Sequence, residues 1–462
     1  MTTSKERPNI ILINCDDLGY GDLSCYGSTV NATPTLDRMA AEGMRFTDFY
    51  MASPVCSPSR GAMLTGCYPP RIGFDRFDGA WVLFPGHPVG LNPAEITIAT
   101  LLRRQGYATQ LVGKWHCGDQ PEFLPTRHGF DHYFGLPYSN DMGRQAGRDF
   151  FPPLPLLRDE EVIQQQPDQA ALTERYAEEC VRFLRTNRQR PFFLYLAHMY
   201  VHLPLYAPAR FLKQSRNGPY GAAVECVDWV AAVLLHELAQ LGLEKNTLVV
   251  FTSDNGARGD HGGSNAPLRG GKGTTWEGGM RVPCIMRWPG RIPAGIVCRE
   301  LVSSLDFLPT FARLAGTTEP QDRIIDGRDI SALLTGQPGA RSPHDAFFYY
   351  RCDDLEAVRC GRWKLFVTRW DDATGRQQPV TELYDLQTDI GETTNLANQN
   401  PAVVCELQEK IAACRRDLGD KATGTVGVNC RPIGRVPAGR PLTKYDVNHP
   451  YIEAMYDLTD AG

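Results

Sequence analysis

Two textures of apolar residues alternate along the first half of the chain. Asn9 to Asn14 (NIILIN) is an unbroken apolar run between Pro8 and Asp16-Asp17, the pattern of a strand buried on both faces. Phe192 to Ala197 and Thr247 to Thr252 have the same character, and Arg45 to Phe49 and Thr109 to Val112 are shorter strand-like segments. Helical spacing falls between them: Thr35 to Glu42 and Thr97 to Gln105, each stopped by a glycine, then longer stretches around Gln169 to Asn187 and Gly221 to Leu241. Strands alternating with helices predict an α/β fold, a large, mostly parallel central sheet covered by helices on both faces. Ligands of such folds collect beyond the carboxyl ends of the strands.

The texture changes after Gly336, at a Pro/Gly-bearing stretch. Ala346 to Tyr350, Ala357 to Arg359, Lys364 to Thr368 and Glu382 to Asp385 read as short antiparallel strands, and Ala402 to Leu418 as a last helix. The expected division is a catalytic α/β part over 1–336, a smaller C-terminal α+β part over 337–420, and an irregular tail over 421–462. The tail either wraps the body or serves a contact in a homo-oligomer.

Composition narrows the function classes. Of 462 residues, 42% are hydrophobic and 22% charged, ordinary for a globular chain with a large core. A net charge of −5 without a dense Lys/Arg block argues against nucleic acid as a partner. No window is apolar enough for a membrane span, and Met1 to Pro8 has neither the apolar core nor the cleavage site of a signal peptide. As written the protein is expected in the cytoplasm; removal of a leader would make it periplasmic or secreted. Fourteen cysteines scattered from Cys15 to Cys430 lack the spacing of a disulfide scaffold, so most are expected reduced and buried.

Candidate chemistry lies after the predicted strands. Asp16-Asp17 and Asp254-Asn255 should emerge at one sheet edge, four hard oxygen ligands suited to Ca²⁺, with Mg²⁺ second, rather than to zinc. Either pair alone also reads as a loop or helix cap. In Pro54-Val55-Cys56-Ser57-Pro58-Ser59-Arg60, Pro58 suits a first helical turn and Gly66 its end, which puts Cys56 at a helix N-terminus that favours an anion. Lys114 and His116, two apart on an expected strand end, would point to one face.

Cys56, Pro58, Ser59 and Arg60, followed by Leu64-Thr65-Gly66, resemble the Cys-x-Pro-Ser-Arg motif of formylglycine-dependent sulfatases of the alkaline phosphatase superfamily. Gly106 to His116 resembles that family's second signature, and the likeness extends to Leu383-Tyr384-Asp385-Leu386 and Glu392-Thr393-Thr394-Asn395-Leu396. The resemblance implies hydrolysis of sulfate esters. The motif cysteine is oxidised to formylglycine by a separate formylglycine-generating enzyme, and its hydrate attacks sulfur with one hydroxyl on the metal. The second hydroxyl then loses its proton and expels sulfate. A serine or cysteine lacks that second hydroxyl.

By the same resemblance, Asp16, Asp17, Asp254, Asn255 and residue 56 hold the metal, and Lys114 bridges the formylglycine hydroxyl and a sulfate oxygen. His116 hydrogen-bonds the hydroxyl that collapses the diol, Lys272 contacts the sulfate and ester oxygens, and Ser139 is either a further sulfate contact or a turn serine. His202, rather than His198, is the candidate to protonate the leaving alcohol. Two rival functions remain: a phosphodiester or phosphonate monoester hydrolase of the same superfamily, for which Asp260-His261 speaks, and a non-catalytic binder of sulfated glycans. Substrate choice is expected from loops over the pocket, Arg71 to Pro93 with Trp81, Phe84 and His87, and Gly143 to Pro167. The overall look resembles arylsulfatases and N-acetylgalactosamine sulfatases and leans toward carbohydrate sulfates.

Overall fold

The computed structural model describes residues 7–145 and 147–451; the last part of the predicted tail, 452–462, lies outside the described residues. Ten strands form the main sheet, in the order Ile296–Cys298, Met44–Phe46, Cys284–Arg287, Thr247–Ser253, Asn9–Cys15, Phe192–Ala197, Ala108–Gly113, His132–Gly135, Pro155–Arg158, Glu161–Gln165. The central run from Thr247–Ser253 to His132–Gly135 is parallel throughout. Asn9–Cys15, at its centre, is buried along its whole length. Ile10 and Leu12 enter one core with the helices Cys56–Thr65, Ile98–Arg104 and Phe307–Leu314. Ile11 and Ile13 enter the other, with Pro34–Ala41, Leu172–Asn187 and Gly218–Gln240. This is the two-faced alternation a strand imposes, and it explains the run without polar residues.

The expected segment Arg45 to Phe49 is two strands. Met44–Phe46 belongs to the main sheet, and Phe49–Tyr50 pairs separately with Val302–Ser303. Between them the Thr47 N–H donates to the Cys298 carbonyl and Arg281 reaches the Asp48 carboxylate at 3.0 Å, so the chain leaves the sheet at two polar residues. The expected loop Gly143 to Pro167 is also corrected: Pro155–Arg158 and Glu161–Gln165 form a hairpin on the sheet edge, turning at Asp159 with φ +56°. In the part before the hairpin, Phe151 stacks on Phe84 of the neighbouring loop and Phe150 packs on Phe151.

A separate four-stranded antiparallel sheet, Phe347–Arg351, Asp354–Cys360, Trp363–Asp371 and Arg376–Asp385, packs with the helix Pro401–Leu418. Its anchor to the main body is both apolar and ionic: Phe347 and Tyr349 pack on Tyr50 in a shared core, and a buried charge cluster lies beside them. Lys364, fully buried, donates to Glu277 at 3.0 Å and to the Thr275 carbonyl at 2.8 Å, and pairs with Glu392 at 2.8 Å. Removing one member of such a cluster strands the buried charges of the others. Lys364→Met is therefore expected to cost about 3–5 kcal/mol, read from the midpoint of guanidinium unfolding; a cost under about 1 kcal/mol would show that the cluster behaves like a surface pair.

The segment 429–445 lies along the body. Gly434–Arg435 pairs with Val89–Gly90, and Arg431 binds Glu95 at 2.7 Å. All fourteen cysteines are free thiols and most are buried. Among the described residues no helix is long and apolar enough to cross a membrane.

Candidate active site

Parallel register brings four strand ends to one level. Cys15 lies opposite Ser253, Asn14 opposite Ala197, and Gly113 opposite Ala197. The residues that follow, Asp16-Asp17, Asp254-Asn255, His198 to His202 and Lys114 to His116, therefore leave the sheet together at its carboxyl edge. Two of these exits need unusual backbone. Gly113 has φ +111°, and a Cβ there would sit 1.8 Å from the Ala197 carbonyl oxygen. Asp17 and His116 occupy the left-handed region at φ +61° and +58°, a costly conformation for residues with side chains. The extended end expected for Lys114 to His116 is thus corrected: the strand stops at Gly113, and the Trp115 and His116 amides donate to Leu136 and Pro137. Lys114 still reaches the acidic cluster, where it binds Asp16, and the His116 ring feels the charges of Lys114 and Asp16 without a direct bond to either.

Cys56 begins a helix, Cys56–Thr65, that is buried throughout and ends at Gly66 with φ +68°. No side chain caps its N-terminus, so the orphan N–H groups and the helix dipole are left for an anion. Arg60, one turn on, is fully buried; its Nε donates to Asp254 at 2.9 Å, its Nη2 lies 2.8 Å from the same carboxylate as an ion pair, and its Nη1 donates to the Lys114 carbonyl at 3.0 Å. Lys114 binds Asp16 closely. Lys272 donates to Asp17 at 2.9 Å and the Asn255 amide donates to Asp17 at 2.7 Å.

Three buried carboxylates thus face two buried cations, Arg60 and Lys114, and the partly buried Lys272. Burial works against the charge of Asp16, but Lys114 and the neighbouring His202 and Arg60 hold its carboxyl well below the usual range. Asp254 goes the other way, pushed up by burial and then by Asp16. Burial also opposes the charge on Lys272, yet Asp17 and its neighbours keep that amine protonated. Burial pushes the Cys56 thiol up to about 11, with Lys114 only partly opposing. At neutral pH an unmodified Cys56 is a protonated thiol and a poor nucleophile.

The donor set suits a hard divalent cation. Ligand atoms of Asp16, Cys56 and Asp254 lie within 4.8 Å of one another, as do those of Asp16, Asp17 and His202. Asp16 Oδ1 and Asn255 Oδ1 are buried oxygens without a hydrogen-bond partner, the kind of acceptor that a cation would satisfy. Asp260 and His261 do not join them: they bind each other at 2.9 Å on a surface turn, with Asp260 also paired to Arg258.

The histidines differ in what their rings hold. His116 Nε2 donates to the Leu83 carbonyl at 3.0 Å, which leaves Nδ1 as a buried acceptor without a partner. Burial, then Lys114, keeps this ring neutral. His202 Nδ1 donates to the Leu203 carbonyl at 2.5 Å and to Asn140 Oδ1 at 3.2 Å, turning Nε2 toward Asp17 at 3.9 Å. His202 lines the cavity above Cys56, whereas His198 is fully buried away from it. His202→Gln is accordingly expected to lower kcat by roughly 10²–10⁴-fold on a substrate with a poor leaving group, and His198→Gln to act through stability instead. Equal kcat losses in the two variants at unchanged melting temperature would remove the distinction.

The cavity itself, about 580 Å³, is lined by Cys56, His202, Lys272 and Ser139 at its floor and by Trp81, Phe84, Met142, Asp141 and Arg258 higher up. Ser139 is buried with its Oγ unpartnered, and it makes no capping bond to the turn it precedes. His87 packs on Phe84 rather than lining the cavity. Sequence reasoning passed over Arg258, Asp141 and Asn140, which carry no motif; the only signal was that Asn140 and Asp141 follow Ser139 directly.

The fold and this acidic, lysine-rich strand edge define a sulfuric ester hydrolase, and the chain belongs to the sulfatase family, whose model matches residues 8–317. A second model, N-sulphoglucosamine sulphohydrolase, C-terminal, matches residues 271–417. The chain is 44% identical to N-acetylgalactosamine-6-sulfatase of Canis lupus familiaris over 414 residues, covering 86% of this chain and 78% of that protein. It is 41% identical to arylsulfatase A of Bos taurus over 444 residues, 87% of this chain and 86% of that one. Among solved structures it is similar to Ps i-CgsB in complex with k-i-k-neocarrahexaose, with 31% identity, a TM-score of 0.79, and 91% and 95% of the two chains covered.

Proposed function

We propose that this sulfatase acts on carbohydrate sulfates, with formylglycine derived from Cys56 as its nucleophile and Ca²⁺ held by Asp16, Asp17, Asp254 and Asn255. The observation that carries the reading is the placement of Cys56 at an uncapped, buried helix start beside the carboxylates of Asp16 and Asp254, lining a cavity with both aromatic and polar walls. Bound Ca²⁺ would supply a Lewis acid for sulfate oxygens and lower the pKa of a hydroxyl beside it. Oxidation of Cys56 followed by hydration would place two hydroxyls on one carbon.

Around that centre each residue has a distinct task. Arg60, locked to Asp254, fixes the helix start against the metal ligands. Lys114 and Lys272 bring positive charge to the sulfate oxygens, and Lys272 also offsets charge growing on the ester oxygen. His202, oriented through Nδ1, presents Nε2 to deliver a proton to the leaving alcohol. His116 presents Nδ1, its only free acceptor, to take the proton whose loss lets sulfate depart.

Support for a saccharide comes from the walls. Trp81 and Phe84 suit the apolar face of a sugar ring, and Asp141 and Arg258 suit its hydroxyls, which an aryl or steryl group lacks. The names of N-acetylgalactosamine-6-sulfatase and of the neocarrahexaose complex point the same way. The test is release of inorganic sulfate from a panel of sulfated mono- and oligosaccharides beside nitrophenyl sulfate and nitrophenyl phosphate. Cleavage of a saccharide sulfate is expected. Cleavage of the aryl sulfate alone would overturn the substrate class, and faster cleavage of the phosphate would overturn the reaction.

A further inference from the structure

Trp81 is the most exposed large aromatic on the cavity wall, with 46% of its surface accessible. An indole that open on a loop would ordinarily sample several rotamers. This one is held. The guanidinium of Arg351, from the C-terminal antiparallel sheet, lies over its ring at 4.5 Å from the centroid, and the same guanidinium lies over Trp370 at 4.1 Å. Arg351 also donates through Nε to the carbonyl of Gly273 at 3.2 Å, next to Lys272. Arg351 is only 6% exposed; its guanidinium packs on two indoles and donates to a carbonyl, and the Glu356 carboxylate is close enough to feel its charge. Burying a cation in that way is costly without a compensating structural gain, and stacking against two indole faces supplies one.

We propose that Trp81 is the platform on which the sugar ring of the substrate's leaving alcohol stacks, and that Arg351, sandwiched between Trp81 and Trp370, is the positioning residue that fixes it. The inference rests on the carbohydrate reading above. Arg351 covers one face of the indole, and the side of Trp81 on the cavity meets the apolar C–H face of a pyranose, whose edge hydroxyls then reach Asp141 and Arg258. The small C-terminal sheet therefore takes part in saccharide selection without placing any group on the sulfate. The tie from Arg351 to Gly273 couples the platform to the loop of Lys272, so the sugar and the sulfate are registered by one connected structure.

The experiment compares wild-type enzyme with Trp81→Ala, Trp81→Phe, Arg351→Met and Arg351→Lys. The substrate is whichever sulfated saccharide the wild type cleaves, and inhibition by inorganic sulfate serves as an independent reading of the cavity floor. Trp81→Ala should raise KM for the saccharide roughly tenfold or more with a smaller change in kcat, since the sugar ring loses the apolar aromatic face it packs on. Trp81→Phe should recover most of that loss. Arg351→Met should raise KM several-fold, with Arg351→Lys between it and wild type because ammonium stacks less well than guanidinium. Sulfate inhibition should stay at the wild-type level in all four. Unchanged KM in Trp81→Ala with saccharide turnover intact would overturn the platform while leaving the carbohydrate reading standing. Loss of sulfate inhibition together with KM in Trp81→Phe would assign the sandwich a purely structural role and overturn the proposal. A wild-type enzyme that cleaves no saccharide sulfate would overturn the carbohydrate reading, and this inference with it.

Discussion

Cys56→Ala is expected to lower turnover of any sulfate ester by roughly 10⁴-fold or more, as deletion of a nucleophile does, while binding of inorganic sulfate survives. The two readouts separate because they rest on different atoms. On the proposed reading sulfate would be held by Lys114, Lys272 and the helix start, none of which alanine removes, whereas the reacting carbon would sit on residue 56 alone. Cys56→Ser sharpens the point. A serine offers one hydroxyl and no way to expel sulfate by collapse to an aldehyde, so at most one equivalent of product alcohol should appear per enzyme. Steady turnover by the serine variant would mean that water, not a second hydroxyl on residue 56, completes the reaction. An unconverted thiol is a poor nucleophile there, because burial pushes its pKa up.

Removal of divalent cations is expected to have the second-largest effect, on stability as well as on activity. Asp16, Asp17 and Asp254 crowd a buried volume in which Asp16 Oδ1 and Asn255 Oδ1 have no protein partner. A cation that fills this gap binds only the folded chain, so at a hundredfold excess over its Kd it adds about 2.7 kcal/mol to stability. Calcium added to chelator-treated enzyme should raise the melting temperature by several degrees and restore turnover, with magnesium less effective because it demands near-ideal octahedral geometry. A melting temperature indifferent to chelator and to calcium would mean that Arg60, Lys114 and Lys272 alone balance the three carboxylates.

The strands that carry the site were legible in the sequence because burial on both faces leaves an apolar run, and Asn9–Cys15, Phe192–Ala197 and Thr247–Ser253 all have one. The parallel register of Asn9–Cys15 on Thr247–Ser253, Cys15 opposite Ser253, brings Asp16-Asp17 and Asp254-Asn255 to one edge, as expected. Edge elements were harder. Glu161–Gln165 is exposed or half-buried throughout, Pro155–Arg158 is short, and their hairpin turns on Asp159-Glu160, with no glycine to announce it. The exit after Gly113 was misread because a positive φ at His116 is imposed by tertiary hydrogen bonds to Leu136 and Pro137, which local spacing does not encode. The Arg351 sandwich was invisible for the same reason: Trp81, Arg351 and Trp370 lie in separate stretches of chain, and nothing in any one of them marks the other two.

The claim that residue 56 is the precursor of the nucleophile is tested most directly by mass spectrometry of the peptide containing it, taken from protein whose turnover has been measured. Active enzyme should yield a peptide lighter by the replacement of CH₂SH with CHO, with specific activity proportional to the converted fraction across preparations made with and without a formylglycine-generating enzyme. Fully active protein whose Cys56 peptide keeps the mass of the intact thiol would contradict the account.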